Sequence, residues 1–382
     1  VPFHINKRHK ACIDLAPLLN FYLHICTVVA ITKIEIEEFI ELAKTLPVLD
    51  VRSPDEFAHA HIPGAFSFPI FSNDERKIIG TAYKQESRET AIKIGLEAFG
   101  KNMVKMVEEA EKISSSTKTT SREIGVHCWR GGMRSAAMAW LLDLYGFKVY
   151  LLVGGYKTYR SWALKQFETK RPFYIVGGYT GGNKTGIIQH LQKVKEPAID
   201  LEKLAGHKGS AFGNLEGIEQ PSQEHFENVL ALQLHHLQKT YPDKAVWLEG
   251  ESQRIGNINI PLPFFENMRR QQYFFMDIPF EPRLQHIIEG YGKQHKDALI
   301  SAILRIKKKL GGLEMKNAVN ALLEDDVRGC FTILLKYYDK LYLKSTTKEN
   351  EDAGRVIPIN TETTDEKINT EKLLEHVRNR IG

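Results

Sequence analysis

A single thiol stands where thiol chemistry is feasible. The run Ile124–Ser135, IGVHCWRGGMRS, sets Cys128 between a short apolar stretch and a run of helix formers. Arg130 and Arg134 flank Gly131 and Gly132 just after it, and Trp129 and Met133 complete the loop. A free thiol titrates near pH ~8.5, and positive surroundings lower that to about 3.5–7.5. Three features here act in that direction. A helix starting at about Ser135 points its N-terminal dipole at the loop. The two glycines let backbone N–H groups converge on one anion. The two arginines add full charges on planar donors. Such a loop holds an anion on or beside sulfur: a persulfide, a selenium adduct or an oxyanion. The competing reading is a buried strand-end cysteine with no chemistry.

A second run, GGYTGGNKT from Gly177 to Thr185, follows the apolar stretch FYIVG and precedes TGIIQHLQ. Strand, glycine-rich loop and helix in that order form a phosphate-binding context. Gly178, Lys184 and Thr185 fall at the G-x-x-x-x-G-K-[ST] positions, with Thr180, Gly181 and Gly182 between them. Asn183 replaces the glycine before the lysine. Asn is among the few residues that tolerate positive φ, so the loop can still close, though the departure weakens a claim to ATP hydrolysis. Backbone amides and the helix dipole would cradle phosphates, Lys184 would add a point charge, and Thr185 would reach a Mg²⁺ ion if one binds. Whether ATP or GTP binds stays open. AVWLEGES supplies Glu249 and Glu251 as possible metal contacts, and Arg254 follows as a phosphate contact.

These loops need elements to hold them. IEIEEFIELAKTL has helical spacing, and PVLDVRS is a short buried strand ending in Asp50 and Arg52. Ser53 and Pro54 open the next helix. Residues 74–112 are charged and helical in pattern, and 114–121 is a polar loop. EIGVHC, SAAMAWLLDLYGF and KVYLLVGGYKTY follow as strand, helix and strand, so the sheet is parallel. The fold class is α/β: a first parallel-sheet domain over 31–160, then a P-loop NTPase-like α/β domain over 161–382 with a helical C-terminal part. Residues 281–343 are largely helical. The tail is a polar loop and a final amphipathic helix.

Composition bounds the rest. At 42% hydrophobic and 26% charged residues the 382-residue chain is ordinary globular material, enough for two or three domains. Its net charge of +5 permits a polyanionic partner without requiring one. Four cysteines, none in a CxxC pair, argue against a disulfide framework or a zinc site and for a reducing, cytoplasmic setting. Residues 1–30 are a poorly specified extension. They open like a signal peptide, but Asp14, Pro17, Asn20 and His24 interrupt the apolar run, so no membrane span is expected. The chain begins at Val1, and whether residues 1–29 belong to the native product is open.

LDVRSPDEFAHAHIPGA, with CWRGGMRS and VGGYK, resembles a rhodanese domain. The narrower CWRGGMRS run resembles the tRNA 2-selenouridine synthases, as do DERKIIGTAYKQESRETAIKIG, DLEKLAGHKGSAFG, QPSQEHFEN, EGESQRIGNINIP and YYDKLY, from about 34 to about 343. That resemblance implies a transferase that replaces the sulfur of 2-thiouridine at a tRNA wobble position with selenium. It implies selenophosphate and geranyl diphosphate as co-substrates, a selenophosphate-supplying partner system and no tightly bound cofactor. Cys128 is then the chalcogen centre, Arg130 and Arg134 stabilise its adducts, and the phosphate loop takes the prenyl diphosphate. Candidate RNA contacts are Arg254, Arg269, Arg270, Lys293 and the basic run Arg305–Lys309. Two rival readings stay open: a plain sulfurtransferase with an attached P-loop regulator, and a nucleotide-binding protein carrying a rhodanese binding module.

Overall fold

The computed structural model describes residues 31–116, 122–207, 219–292, 295–349 and 355–381. They form two units, with the boundary between Gly155 and Tyr156; residues 54–65 group with the second.

In the first unit, β1 (Ile31–Ile34), β2 (Val48–Asp50), β3 (Phe66–Ser67), β4 (Glu123–His127) and β5 (Lys148–Leu152) form one sheet in the order β1-β5-β4-β2-β3. Every pairing is parallel. Parallel strands are covered on both faces, which is why β2 and β4 read as continuous apolar runs without alternation. Leu49, Val51, Ile124, Val126, Leu142 and Val149 lie in the core. The sheet order places β2 beside β4, with Asp50 in register with His127, so the residues following both strands end at one edge. The expected helical stretch before β4 is two helices, Asn73–Gln85 and Arg88–Ser116. Ser72 caps the first through a reciprocal box with Glu75, and the Ser87 hydroxyl accepts from Thr90 N–H at 3.0 Å to start the second.

The second unit contains β6 (Phe173–Gly178), β7 (Ala198–Ile199), β8 (Val246–Glu249), β9 (Arg254–Ile255), β10 (Ile258–Asn259), β11 (Gln272–Asp277) and β12 (Val356–Asn360). Its sheet runs β12-β11-β6-β8-β7, again parallel, while β9 and β10 make a separate antiparallel pair. β6 is central, and Val176 in it pairs with Glu249 of β8. Helices from Phe280 to Glu349 enclose a core of their own around Leu284, Leu299, Ile303, Leu322 and Phe331.

Three expectations change. Part of the stretch expected to be a polar tail is strand β12: Ile357 and Ile359 are buried while Val356, Pro358 and Asn360 face out, and an outward valine and a proline hide the alternation that would mark a strand. The region 114–121 starts as helix through Ser116, and 117–121 lie outside the described residues. The basic run at 305–309 spans a break between helices Lys296–Arg305 and Lys307–Leu310, because Ile306 and Leu310 turn into the helical core. Residues 1–30 and Lys293 are likewise outside the described residues.

Candidate functional site: a thiol loop and a phosphate loop

Cys128 follows β4 directly, and the next helix runs Met133–Leu144. It starts two residues earlier than expected, with Gly132 as its N-cap. Cys128 is only 3% exposed, whereas Trp129, Arg130 and Met133 are exposed and Arg134 is half-buried. Burial pushes the thiol up, but the Ser135 hydroxyl, the backbone N–H groups of Ser135 and Arg130 and the charge of Arg134 outweigh it, so the thiol is held below its ordinary range. Ser135 is the partner that sequence reasoning missed as more than a helix start. Its Oγ lies 3.1 Å from Cys128 Sγ and 3.2 Å from the Gly132 carbonyl, and it is fully buried. A hydroxyl can rotate. It donates to a thiolate, or accepts from a thiol while donating to Gly132. The signal was a hydroxyl seven residues after the cysteine, in the first turn of a helix.

The loop is braced from two sides. Gly155, at φ 62°, backs it so closely that an added Cβ would lie 2.3 Å from the Cys128 carbonyl and 2.6 Å from Gly131 N. Only glycine fits there, which explains the Gly-Gly turn after β5. On the other side, Asp50 and Arg52 form a buried pair, with Arg52 Nε donating to Asp50 Oδ1 at 2.9 Å and Nη2 to Oδ2 at 2.6 Å. The guanidinium lies over the Trp129 ring at 6.0 Å, and His127 Nε2 is 3.7 Å from Asp50 Oδ2. Burial raises the Asp50 pKa, but His127 and the Arg52 hydrogen bonds overcome that and hold the carboxyl below the ordinary range.

In the second unit, the loop after β6 leads into helix Lys184–Lys193. Asn183 takes φ 55°, ψ 38°, the left-handed conformation its place requires. Its Oδ1 accepts from Gly186 N–H at 3.2 Å, capping the helix, and its Nδ2 donates to the Thr364 carbonyl at 2.9 Å. The substitution thus replaces a glycine by a residue that keeps the conformation and adds a cap. Gly181, at φ 83°, is held against Ile287 and the Arg283 carbonyl, with no room for a Cβ. Arg283 Nη1 donates to the Thr180 carbonyl at 3.1 Å while pairing with Asp339, so the helical part fixes the loop from outside. Gly182 N–H donates to the Tyr179 carbonyl at 3.2 Å. Lys184 Nζ reaches the Gly178 carbonyl at 3.4 Å, and Thr185 Oγ1 donates to Glu202 at 2.7 Å.

Acids gather beside this loop. Glu249 is fully buried; its Oε2 accepts from Glu202 N–H at 3.1 Å and its Oε1 has no partner. Burial and the nearby Glu202, Asp200 and Glu251 push its carboxyl well up. Glu251 is raised to about 7 by burial and by Glu202, with Lys184 opposing. Hydroxyl and carboxylate oxygens suit Mg²⁺. Among the described residues, however, no group of three His, Cys, Asp or Glu is arranged to hold a metal ion. Phosphate oxygens and water would have to complete any such coordination.

Residues 171–370, over half of the chain, match the tRNA 2-selenouridine synthase AAA domain family, and residues 35–162 match the rhodanese-like domain family. A tRNA 2-selenouridine synthase of Nitrosomonas eutropha is 31% identical across 78% of this chain and 88% of its own length. One of Bdellovibrio bacteriovorus is 33% identical across 80% and 90%. The chain belongs to the tRNA 2-selenouridine synthase family. The family is one of enzymes, and its two matched domains contain the two loops described above. A crystal structure of the N-terminal domain of a Clostridium difficile 630 protein is 34% identical over 34% of this chain and 97% of that one, with a TM-score of 0.31, too slight a likeness to weigh on the fold.

The remaining sequence candidates among the described residues are exposed. Arg254 is exposed on β9, its Nε donating to the Gly256 carbonyl at 2.8 Å. Arg269 and Arg270 close helix Leu262–Arg269 and are exposed, as are Arg305, Lys307, Lys308 and Lys309. Among the described residues no helix is long and apolar enough to cross a membrane.

Proposed function

We propose that the chain converts 2-thiouridine at the wobble position of tRNA to 2-selenouridine. The observation that carries this reading is the thiol at position 128, held toward thiolate by Ser135, two backbone N–H groups and Arg134. The names of its relatives support tRNA as the substrate. In the first step the 2-thio sulfur attacks the prenyl carbon of geranyl diphosphate, releasing diphosphate and the proton of the thioamide. In the second, selenium from selenophosphate adds at C2 and geranylthiol leaves; water cleaves the Se–P bond, giving phosphate and 2-selenouridine. Cys128 is the reactive chalcogen centre that handles the displaced thiol in the second step: its thiolate takes a proton as selenium adds at C2 and returns it to the departing geranylthiolate, so it ends unchanged, with Arg130 and Arg134 stabilising the anionic groups beside it. Gly178, Lys184 and Thr185 hold the diphosphate in the first. Mg²⁺, when bound, would neutralise diphosphate charge, with Thr185 and Glu249 as its protein oxygens. The exposed arginines and lysines at 269, 270 and 305–309 take RNA phosphates, so affinity falls with salt.

The test is incubation with 2-thiouridine tRNA, geranyl diphosphate and selenophosphate, singly and together, read by nucleoside mass spectrometry. Cys128→Ala abolishes selenation and leaves the geranylated nucleoside to accumulate. Lys184→Ala stops geranylation first. Normal selenation by Cys128→Ala removes the assigned role of the thiol.

A further inference from the structure

A cavity of about 780 Å³ opens beside Cys128, within the first unit. That is a small-molecule size, within the ~300–1,000 Å³ usual for ligand pockets. Its walls come from the two helices that precede β4. Phe71, Ile79, Leu96 and Phe99 give it a largely hydrocarbon surface. Cys128 and Trp129 belong to the same lining. So do five basic side chains, Arg76, Lys77, Lys84, Arg130 and Arg134, with no carboxylate among the lining residues. A hydrocarbon wall with basic side chains in its lining is complementary to an amphiphile: an apolar chain with an anionic or soft, polarisable head. Leu96, at 61% exposed, and Tyr83, at 56%, present apolar surface at the mouth of the cavity.

We propose that this cavity binds a medium-length aliphatic chain, carried on a sulfur or phosphate head that faces Cys128 and the loop arginines. The inference rests on the proposed function for the choice of a prenyl chain, but the cavity's binding is measurable without tRNA. It separates two sites: the phosphate loop takes the diphosphate, and the cavity takes the chain of the thioether or of the thiol that leaves.

Gly80 lines the cavity from inside helix Asn73–Gln85, and an added Cβ there meets nothing within 4 Å. Gly80→Phe therefore adds a ring at the cavity wall without a clash, and Gly80→Ala is a control that adds only a methyl group. Both remove a helix-interior glycine, so neither weakens the helix. Binding of geranylthiol, geranyl monophosphate and inorganic phosphate is followed by calorimetry on the full chain, in a Lys184→Ala background that disables the phosphate loop. Both geranyl probes are expected to saturate one site, unchanged in Gly80→Ala and weakened about tenfold or more in Gly80→Phe. Tighter binding of the monophosphate assigns the head site to anions; tighter binding of the thiol assigns it to sulfur. Equal binding of the probes by Gly80→Phe and Gly80→Ala overturns the proposal, as does inorganic phosphate binding as tightly as geranyl monophosphate. Chain binding without tRNA selenation leaves the cavity site standing and refutes the proposed function alone.

Discussion

Replacing Ser135 by alanine tests what makes Cys128 reactive. The Ser135 hydroxyl is 3.1 Å from Sγ, and both residues are buried. A hydrogen bond to a charged group is worth about 1.5–3 kcal/mol. At ~1.4 kcal/mol per factor of ten, its loss cuts the thiolate population roughly 10- to 100-fold at a fixed pH below the thiol's titration. Iodoacetamide alkylation reads this directly, because only thiolate reacts. The product is quantified on the peptide bearing Cys128, so the other cysteines do not contribute; Cys330, pushed up to about 12 by burial and Asp326, is an internal control that stays unmodified. The expected result is an alkylation profile displaced to higher pH, with the same plateau rate at alkaline pH. A lower rate at every pH with no displacement would mean that Ser135 governs access and not ionisation. An unchanged profile refutes the role of the Ser135 hydroxyl in ionising the thiol, and leaves the loop amides and Arg134 as its sole support.

Other substitutions probe the framework. Gly155→Ala, whose Cβ would lie 2.3 Å from the Cys128 carbonyl at φ 62°, is expected to cost roughly 1–3 kcal/mol in denaturant unfolding; an unaltered midpoint means the loop is not braced there. Asn183→Gly keeps the left-handed conformation but loses the cap and the hydrogen bond to the Thr364 carbonyl, about 1–2 kcal/mol together, whereas Asn183→Val is strained as well and should lose about 1–2 kcal/mol more; equal thermal midpoints for the two variants contradict this. Glu251 titrates at about 7 in the folded state, above its ordinary 4.5, so its contribution to stability is full below pH 4.5 and lost as pH rises through about 7. Glu251→Gln should therefore gain stability over the parent above pH 7 and not below pH 4.5, as read by thermal unfolding across pH. A stability difference that does not vary with pH excludes this linkage.

Much of this protein was legible one residue at a time. Local rules determine where a strand meets a helix, and both loops were found because their glycines, cations and nucleophile lie within a few residues of one another. Asn183 is the clearest case: its tolerance of positive φ is intrinsic to the side chain, and the structure has it at φ 55°. What lay beyond the sequence depends on elements far apart along the chain. Gly155 presses on the Cys128 loop because β4 and β5 are neighbours in the sheet. Asp50 reaches His127 because β2 adjoins β4, and Arg283 reaches Thr180 from a helix about a hundred residues on. The β12 strand acquires its identity only from pairing with β11 at the sheet edge, since its outward Val356 and Pro358 mask the alternation of a strand. The apolar cavity has the same origin: its hydrophobic residues read in sequence as ordinary helix faces, and only packing decides which apolar faces are covered and which are left to line a space.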